Sequence, residues 1–271
     1  MVSKVAIVKM SGDTEASFRE ALRLIGGISD LDTKDRQVVI KVGVYDHKKK
    51  NHPSVDVVGA IIHSFGSAPH IFVAESDNYR GTGSERLGIW KQLFTDRVVP
   101  FNLSEDSDTK PLETSNEEIG LSHVLFKPNV LVSAHVLRKY ERGAVLKNLF
   151  GLVPDRKKAR FHKVLDSLLM DIYEAIGGVD LAVIDGTQAY ASATDPKGKR
   201  TNILLVGRDA VAVEAVGASI VGMSPTTIPV IREAIRRNLG EGDLSRIDVL
   251  GESIENVKKK PRGSSGGKPE T

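Results

Sequence analysis

Cysteine is absent from the 271 residues. That excludes disulfides, thiolate-held zinc, cysteine-ligated iron–sulfur clusters and a cysteine nucleophile. It fits a reducing compartment, and a cytoplasmic location is expected. Long apolar runs are also missing. None approaches the roughly 20 residues that cross a bilayer, and MVSKVAIVKM at the start has no signal-peptide core. No membrane partner is expected. The net charge of +3 is too small to indicate nucleic acid by itself. No G-x-S-x-G elbow supports a serine triad. No H-x-x-x-H or H-E-x-x-H pattern marks a helical metal site, and GTGSERLG at 81–88 misses the dinucleotide spacing and reads as a turn.

What is present is an ordinary globular balance, 40% hydrophobic and 27% charged. Short β-branched runs recur at Val5–Val8, Val38–Val44, His70–Ala74, Val98–Leu103, Val130–Ser133, Leu181–Ile184, Ile203–Val206 and Ile247–Leu250. Most are almost continuously apolar, which suits strands covered on both faces. Helical stretches lie between them. Val55–Phe65 is one. Phe161, Val164, Leu165, Leu168, Leu169, Ile172 and Ile176 share one helical face. Asp209 reads as the N-cap of Ala210–Val221, and Pro229 and Gly240 frame another helix. The alternation predicts an α/β fold: a mostly parallel or mixed sheet with helices on both faces. Residues 1–256 read as one domain and 257–271 as a flexible basic tail. Ser104–Glu118 is acidic, without apolar periodicity, and reads as a surface loop.

The charged chemistry concentrates between Arg138 and Lys163, where nine Lys or Arg face only Glu141 and Asp155. Lys147 and Asn148 interrupt the apolar run GAVLKNLFGLVP, and His162 opens the helix that follows. A lysine so placed either snorkels to water or meets a defined anion. One reading is therefore an anion pocket walled by Lys147, Asn148 and His162. The other is a solvated basic loop. Glu214 is the lone charge in AVAVEAVGASIV. If buried it needs a partner, as acid, base, metal ligand or structural ion pair. Asp185 follows the strand LAVI, where open α/β sheets gather ligands, or else serves the Asp-Gly turn. Lys41 sits within VVIKVGV, facing either inward or out of an edge; Glu75, Ser76 and Asp77 end another strand. His47, His63, His70 and His123 read as solvent or structural residues, whereas His52, His135 and His162 could converge.

LKNLFGLVP followed by His162, VIDG at 183–186 and NILLVGRDAVAVEAVGASIVGMSP at 202–225 occur in an order that resembles the uncharacterised family called domain of unknown function 362. IKVG, HP and AES near residues 40, 52 and 75 resemble its earlier blocks more loosely. The similarity spans about Val38 to Gly251. This chain has Lys41-Val42-Gly43 where members often have Lys-Pro-Asn. It has Ser133-Ala134-His135 where they often have a lysine followed by Thr-His, and Glu214 where they have Asp. Many relatives carry a ferredoxin-like iron–sulfur module, for which there are no thiolates here. The layout is faintly similar to the nickel-dependent lactate racemase group, without ligands that align.

The reading that follows is an enzyme or enzyme-like protein acting on a small anionic metabolite or cofactor. Lys41, Lys147 and Asn148 would bind it, His162 would move protons, and Asp185 and Glu214 would orient cationic groups or hold a metal. An accessory protein that carries a metal or cofactor is the alternative. A nucleic-acid binder is a weaker third, since only Tyr140, Phe150 and Phe161 interleave the basic stretch.

Overall fold

The computed structural model describes residues 2–114, 117–192 and 194–258. The expected tail therefore lies, from residue 259 on, outside the described residues.

In chain order the elements are β1 (Ser3–Lys9), α1 (Thr14–Ile25), β2 (Val38–Val42), α2 (Val55–Ser64), β3 (Ile71–Glu75), α3 (Gly83–Leu87), β4 (Val98–Asn102), β5 (Thr109–Glu113) and β6 (Glu118–Ser122). They continue as β7 (Val130–Arg138), α4 (Leu165–Ala175), β8 (Leu181–Tyr190), β9 (Lys199–Gly207), α5 (Ala210–Ile220), α6 (Pro229–Arg236), β10 (Ile247–Gly251) and α7 (Ile254–Lys258). Each of the eight β-branched runs falls on a strand of one eight-stranded sheet, ordered β10-β1-β9-β8-β7-β2-β3-β4. Within it only β9 is antiparallel to its neighbours. The acidic stretch Ser104–Glu118, expected to be a loop, instead contains β5 and the start of β6, which pair as a separate two-stranded sheet.

Local chemistry sets the element ends. Asp13 caps α1 by accepting from Ala16 N at 2.9 Å, and Gly26 closes it at φ 99°. Asp209 caps α5 by accepting from Val211 N and Ala212 N. Every residue of α5 is buried, as an all-round apolar helix requires.

Helices cover both faces. Phe18 and Leu22 of α1, Val57 and Ile61 of α2, and Trp90 pack against Val38, Ile40 and Val42. Leu168 and Leu169 of α4, Val213 of α5 and Ile231 of α6 pack on the other side with Val39, Leu131 and Ile184. Each such fully buried side chain contributes about 1.5–3 kcal/mol. The change of face follows from handedness. Parallel crossovers are right-handed. The chain moves outward from β2 to β4 with helices on one face. It then restarts at β7 on the other side of β2, so its next crossover must lie on the opposite face. The order reverses between β2 and β7, and such a reversal opens a crevice outside the carboxyl ends of the strands. Among the described residues no helix is long and apolar enough to cross a membrane.

Candidate functional site

Lys41 faces inward. Parity along β2 puts Ile40 and Val42 against one helical layer and Val39 and Lys41 against the other. The lysine is 1% exposed. Its ammonium has three acceptors: Val42 O at 2.9 Å, Asn148 Oδ1 at 2.9 Å and Glu75 Oε1 at 3.1 Å. Three N–H bonds to three acceptors require a protonated amine. Burial lowers the Lys41 pKa, Glu75 raises it, and Arg86 lowers it further.

Glu75 ends β3 and is equally buried. Arg86 Nη2 donates to its Oε2 at 2.9 Å, Val44 N at 3.2 Å, and Ser76 N donates to Oε1 at 2.9 Å. Arg86 also donates to Ser76 O. Burial pushes the Glu75 carboxyl up, but Arg86, Lys41 and Lys158 together outweigh it and hold the group below its ordinary range. Lys158 donates to Ser76 Oγ at 2.6 Å and Val153 O at 2.7 Å. Burial, opposed by Glu75 and reinforced by Lys41 and Arg86, brings it down to about 7.

Asn148 joins β2 to β7 instead of offering its amide outward. Its Nδ2 donates to Lys41 O at 2.8 Å, Ser133 Oγ at 3.1 Å and Ala134 O at 3.3 Å. Gly151 follows one turn later. A Cβ there would stand 2.5 Å from Lys41 Nζ and 2.7 Å from Glu75 Oε1, so only glycine lets this backbone close over the ion pair.

Lys147 is different. It is half-buried, and among the described residues its ammonium makes no hydrogen bond or ion pair and lies 3.9 Å from the centre of the Phe150 ring. Burial lowers its pKa well below the ordinary lysine value, and Arg138, Lys158, Lys41 and Arg142 deepen the effect. Phe150 also stacks on His162, with centroids 5.5 Å apart. His162 does not open α4 as expected but lies in the last turn of a short 3-10 helix, Lys158–Lys163, that precedes it. It is exposed, its pKa lowered by burial and by Lys147 and Arg142. Arg142 donates to His162 O at 3.3 Å. Arg138, 9% exposed, donates to Gly143 O at 3.3 Å, while its buried Nε has no partner. Burial lowers its pKa to about 10, which leaves it charged at neutral pH.

His135 on β7 is buried, and its Nδ1 accepts from Val136 N at 2.7 Å. The proton then belongs on Nε2. Burial, then Arg138, keeps its pKa well below the ordinary value. A Cβ on Gly43 would meet this ring at 2.2 Å.

Glu214 underpins the segment. Its carboxylate accepts from Ala144 N at 2.7 and 2.8 Å and from Leu146 N at 2.9 Å. Burial raises its pKa, and the backbone donors oppose the rise. Asp185 sits apart. Two residues past Val183, it shares that residue's side of the sheet. It accepts from Ser54 N at 2.7 Å and from Thr187 N and Oγ1 at 2.8 and 2.6 Å. His52 packs edge-on against Trp90 at 5.6 Å. The structure therefore brings together Lys41, Lys147 and Asn148, with His162 joined through Phe150 and Glu214 behind, and leaves Asp185 outside. Among the described residues no three His, Asp or Glu side chains gather to hold a metal ion. GTGSERLG starts α3 through a Thr82–Glu85 capping box. A concavity of about 900 Å³ at the opposite edge includes Ser3 and Asp209. Asp209 there is already saturated by Ser3 Oγ, Val211 N, Ala212 N and Glu241 N.

The sequence reading did not single out Arg86, Arg138 or Lys158 individually, and it left Glu75 unpaired. The signal for the pair was the presence of opposite charges near the ends of two apolar runs, Lys41 and Glu75.

These features define an open α/β protein whose buried and half-buried polar cluster at the strand ends holds more cations than carboxylates. The family described as domain of unknown function (DUF362) matches residues 38–219, and the chain belongs to it. It is 25% identical over 268 residues to a thylakoid-associated protein of Synechocystis sp., covering 89% of this chain and 80% of that one. No solved structure matches.

Proposed function

We propose that this protein binds a small anionic metabolite or cofactor, a carboxylate or phosphate compound, at the strand ends beside β2 and β7, and that it acts there as an enzyme or enzyme-like protein. One observation carries the reading. Lys147 sits among Lys41, Arg138, Arg142 and Lys158 with no acceptor for its own ammonium. Cations desolvated together need a counter-charge, and Glu75 and Glu214 are already committed. An anion at Lys147 supplies it. Asn148 and Lys41 hold the floor, and Glu214 fixes the loop that presents Lys147. His162, neutral at pH 7 and open to solvent, is the proton carrier. Asp185 orients the segment entering α2 through Ser54.

Inorganic phosphate is the first probe. Binding stabilises the fold by RT ln(1 + [L]/Kd), about 2.7 kcal/mol at a hundredfold excess over Kd, which raises Tm by roughly 5–10 °C in a chain of this size. Lys147→Met keeps the apolar stem and should abolish the rise. Lys91→Met, at an exposed lysine, should not. Equal responses in both variants would refute the site.

The cytoplasmic location remains part of the proposal. The relative's name supports a second reading, peripheral contact with an anionic membrane. The observation favouring it is the run of Lys48, Lys49 and Lys50 near Lys197, Lys199 and Arg200, brought close by Tyr190 Oη donating to Lys50 O. Salt-sensitive sedimentation with phosphatidylglycerol vesicles would support it, and absence of binding at low salt would dismiss it.

A further inference from the structure

The three buried or half-buried lysines of the site differ in what holds their protons. Lys41 has three acceptors and Lys158 two. Lys147 has only the face of Phe150. No hydrogen-bond acceptor fixes a proton on it among the described residues, and the charged groups that bear most on it are all cations: Arg138 on β7, Arg142 in the loop after it, Lys41 on β2 and Lys158 beyond. Burial and neighbouring cations are the two ways to make a lysine a neutral nucleophile. The same cations attract an anion. A second, independent feature points to a ligand: Arg138, whose guanidinium lies 4.7 Å from the centre of the Tyr140 ring, keeps a buried Nε with no hydrogen-bond partner among the described residues.

Resting on the anion-binding reading, we propose that Lys147 forms an imine with a small anionic carbonyl compound, an aldehyde or keto acid whose carboxylate or phosphate pairs with Arg138 and Arg142. The Lys147 lone pair attacks the carbonyl carbon, forming C–N while the C=O π pair moves to oxygen. A proton leaves the nitrogen and reaches that oxygen through His162, giving a carbinolamine. His162 then takes up a proton from solvent, and its imidazolium protonates the departing hydroxyl to water while the nitrogen lone pair forms C=N. The resulting iminium returns its N–H proton to solvent, leaving the imine and neutral His162. No oxidant or reductant is needed. Phe150 supplies the apolar wall that excludes competing water and aligns His162.

The test uses the full chain with glyoxylate as the anionic carbonyl, acetaldehyde as the neutral comparator, and cyanoborohydride to fix any imine. Lysine labelling is then mapped by mass spectrometry. Each unit of pKa depression raises the free-amine fraction about tenfold. Lys147 should therefore label with glyoxylate at least about tenfold faster than exposed lysines such as Lys4 and Lys91. Phosphate should suppress the reaction, His162→Gln should slow it, and acetaldehyde should show a smaller preference. Labelling spread evenly over lysines, while phosphate still stabilises the protein through Lys147, would overturn the imine and leave the anion site standing. Even labelling with no phosphate response would overturn both. Selective labelling by acetaldehyde and glyoxylate alike, insensitive to phosphate, would overturn the claim that the carbonyl compound is anionic.

Discussion

Among the described residues Glu75 is the sole carboxylate in direct contact with Lys41 and Arg86, and it lies close to Lys158. If this cluster is over-cationic, removing the carboxylate must cost more than removing a cation. Glu75→Gln keeps the shape and one acceptor but strands three buried positive charges. Breaking a buried pair in this way costs about 3–5 kcal/mol, a fall in Tm of roughly 10 °C or more. Lys41→Met orphans Asn148 Oδ1, worth about 1–3 kcal/mol, and relieves repulsion among the remaining cations. Trp90 is the single tryptophan and is fully buried, so its fluorescence can follow urea unfolding of both variants. The sign with pH is fixed as well. The Glu75 pKa is depressed in the folded state. Its contribution is therefore present above the unfolded value of about 4.3 and is lost as pH falls through the lower folded value. The gap between the parent and Glu75→Gln should close in that acid range. Phosphate should also stabilise Glu75→Gln more than the parent. A Lys41→Met variant as unstable as Glu75→Gln, or more so, would refute the charge imbalance.

Other expectations follow from single contacts. Glu214→Leu would orphan the buried N–H groups of Ala144 and Leu146, at about 1–3 kcal/mol each; a neutral result in denaturant would show that the loop finds other partners. Gly151→Ala would drive a methyl into the Lys41–Glu75 pair, costing about 1–3 kcal/mol by overpacking, and an unchanged midpoint would show that the loop can shift freely. The depressed Lys147 pKa means that the unfolded chain binds more protons between the folded value and about 10.4. Stability should climb with pH in that window and do so less steeply in Lys147→Met, with identical slopes counting against the assignment.

The central sheet was legible because parallel strands covered on both faces must be apolar throughout, which marks them as runs such as VVIKV and LAVI. The hairpin β5–β6 was not, because Lys110, Pro111 and Glu113 are exposed and leave no alternating pattern. The α5 helix was legible from its cap and its unbroken apolar run. Within the site, Lys41 and Lys147 stood out as charges inside apolar runs. Their different fates were hidden, because the partner of Lys41 is Glu75 on a neighbouring strand and strand order is not written locally. Asn148 read as a ligand group, yet its amide is taken up by Lys41, Ser133 and Ala134, a use that depends on β2 and β7 lying side by side. Asp185 reads as a strand end or an Asp-Gly turn after LAVI, but β8 runs on through it to Tyr190, and the parity that turns it toward Ser54 emerges only once the register is known.

The most direct measurement is calorimetric titration of the protein with phosphate and with glyoxylate, alongside Lys147→Met and Lys91→Met. The account predicts a single site of low-millimolar affinity or tighter in the parent and in Lys91→Met, and its loss in Lys147→Met. Binding of equal strength in Lys147→Met, or no binding in the parent, would contradict it.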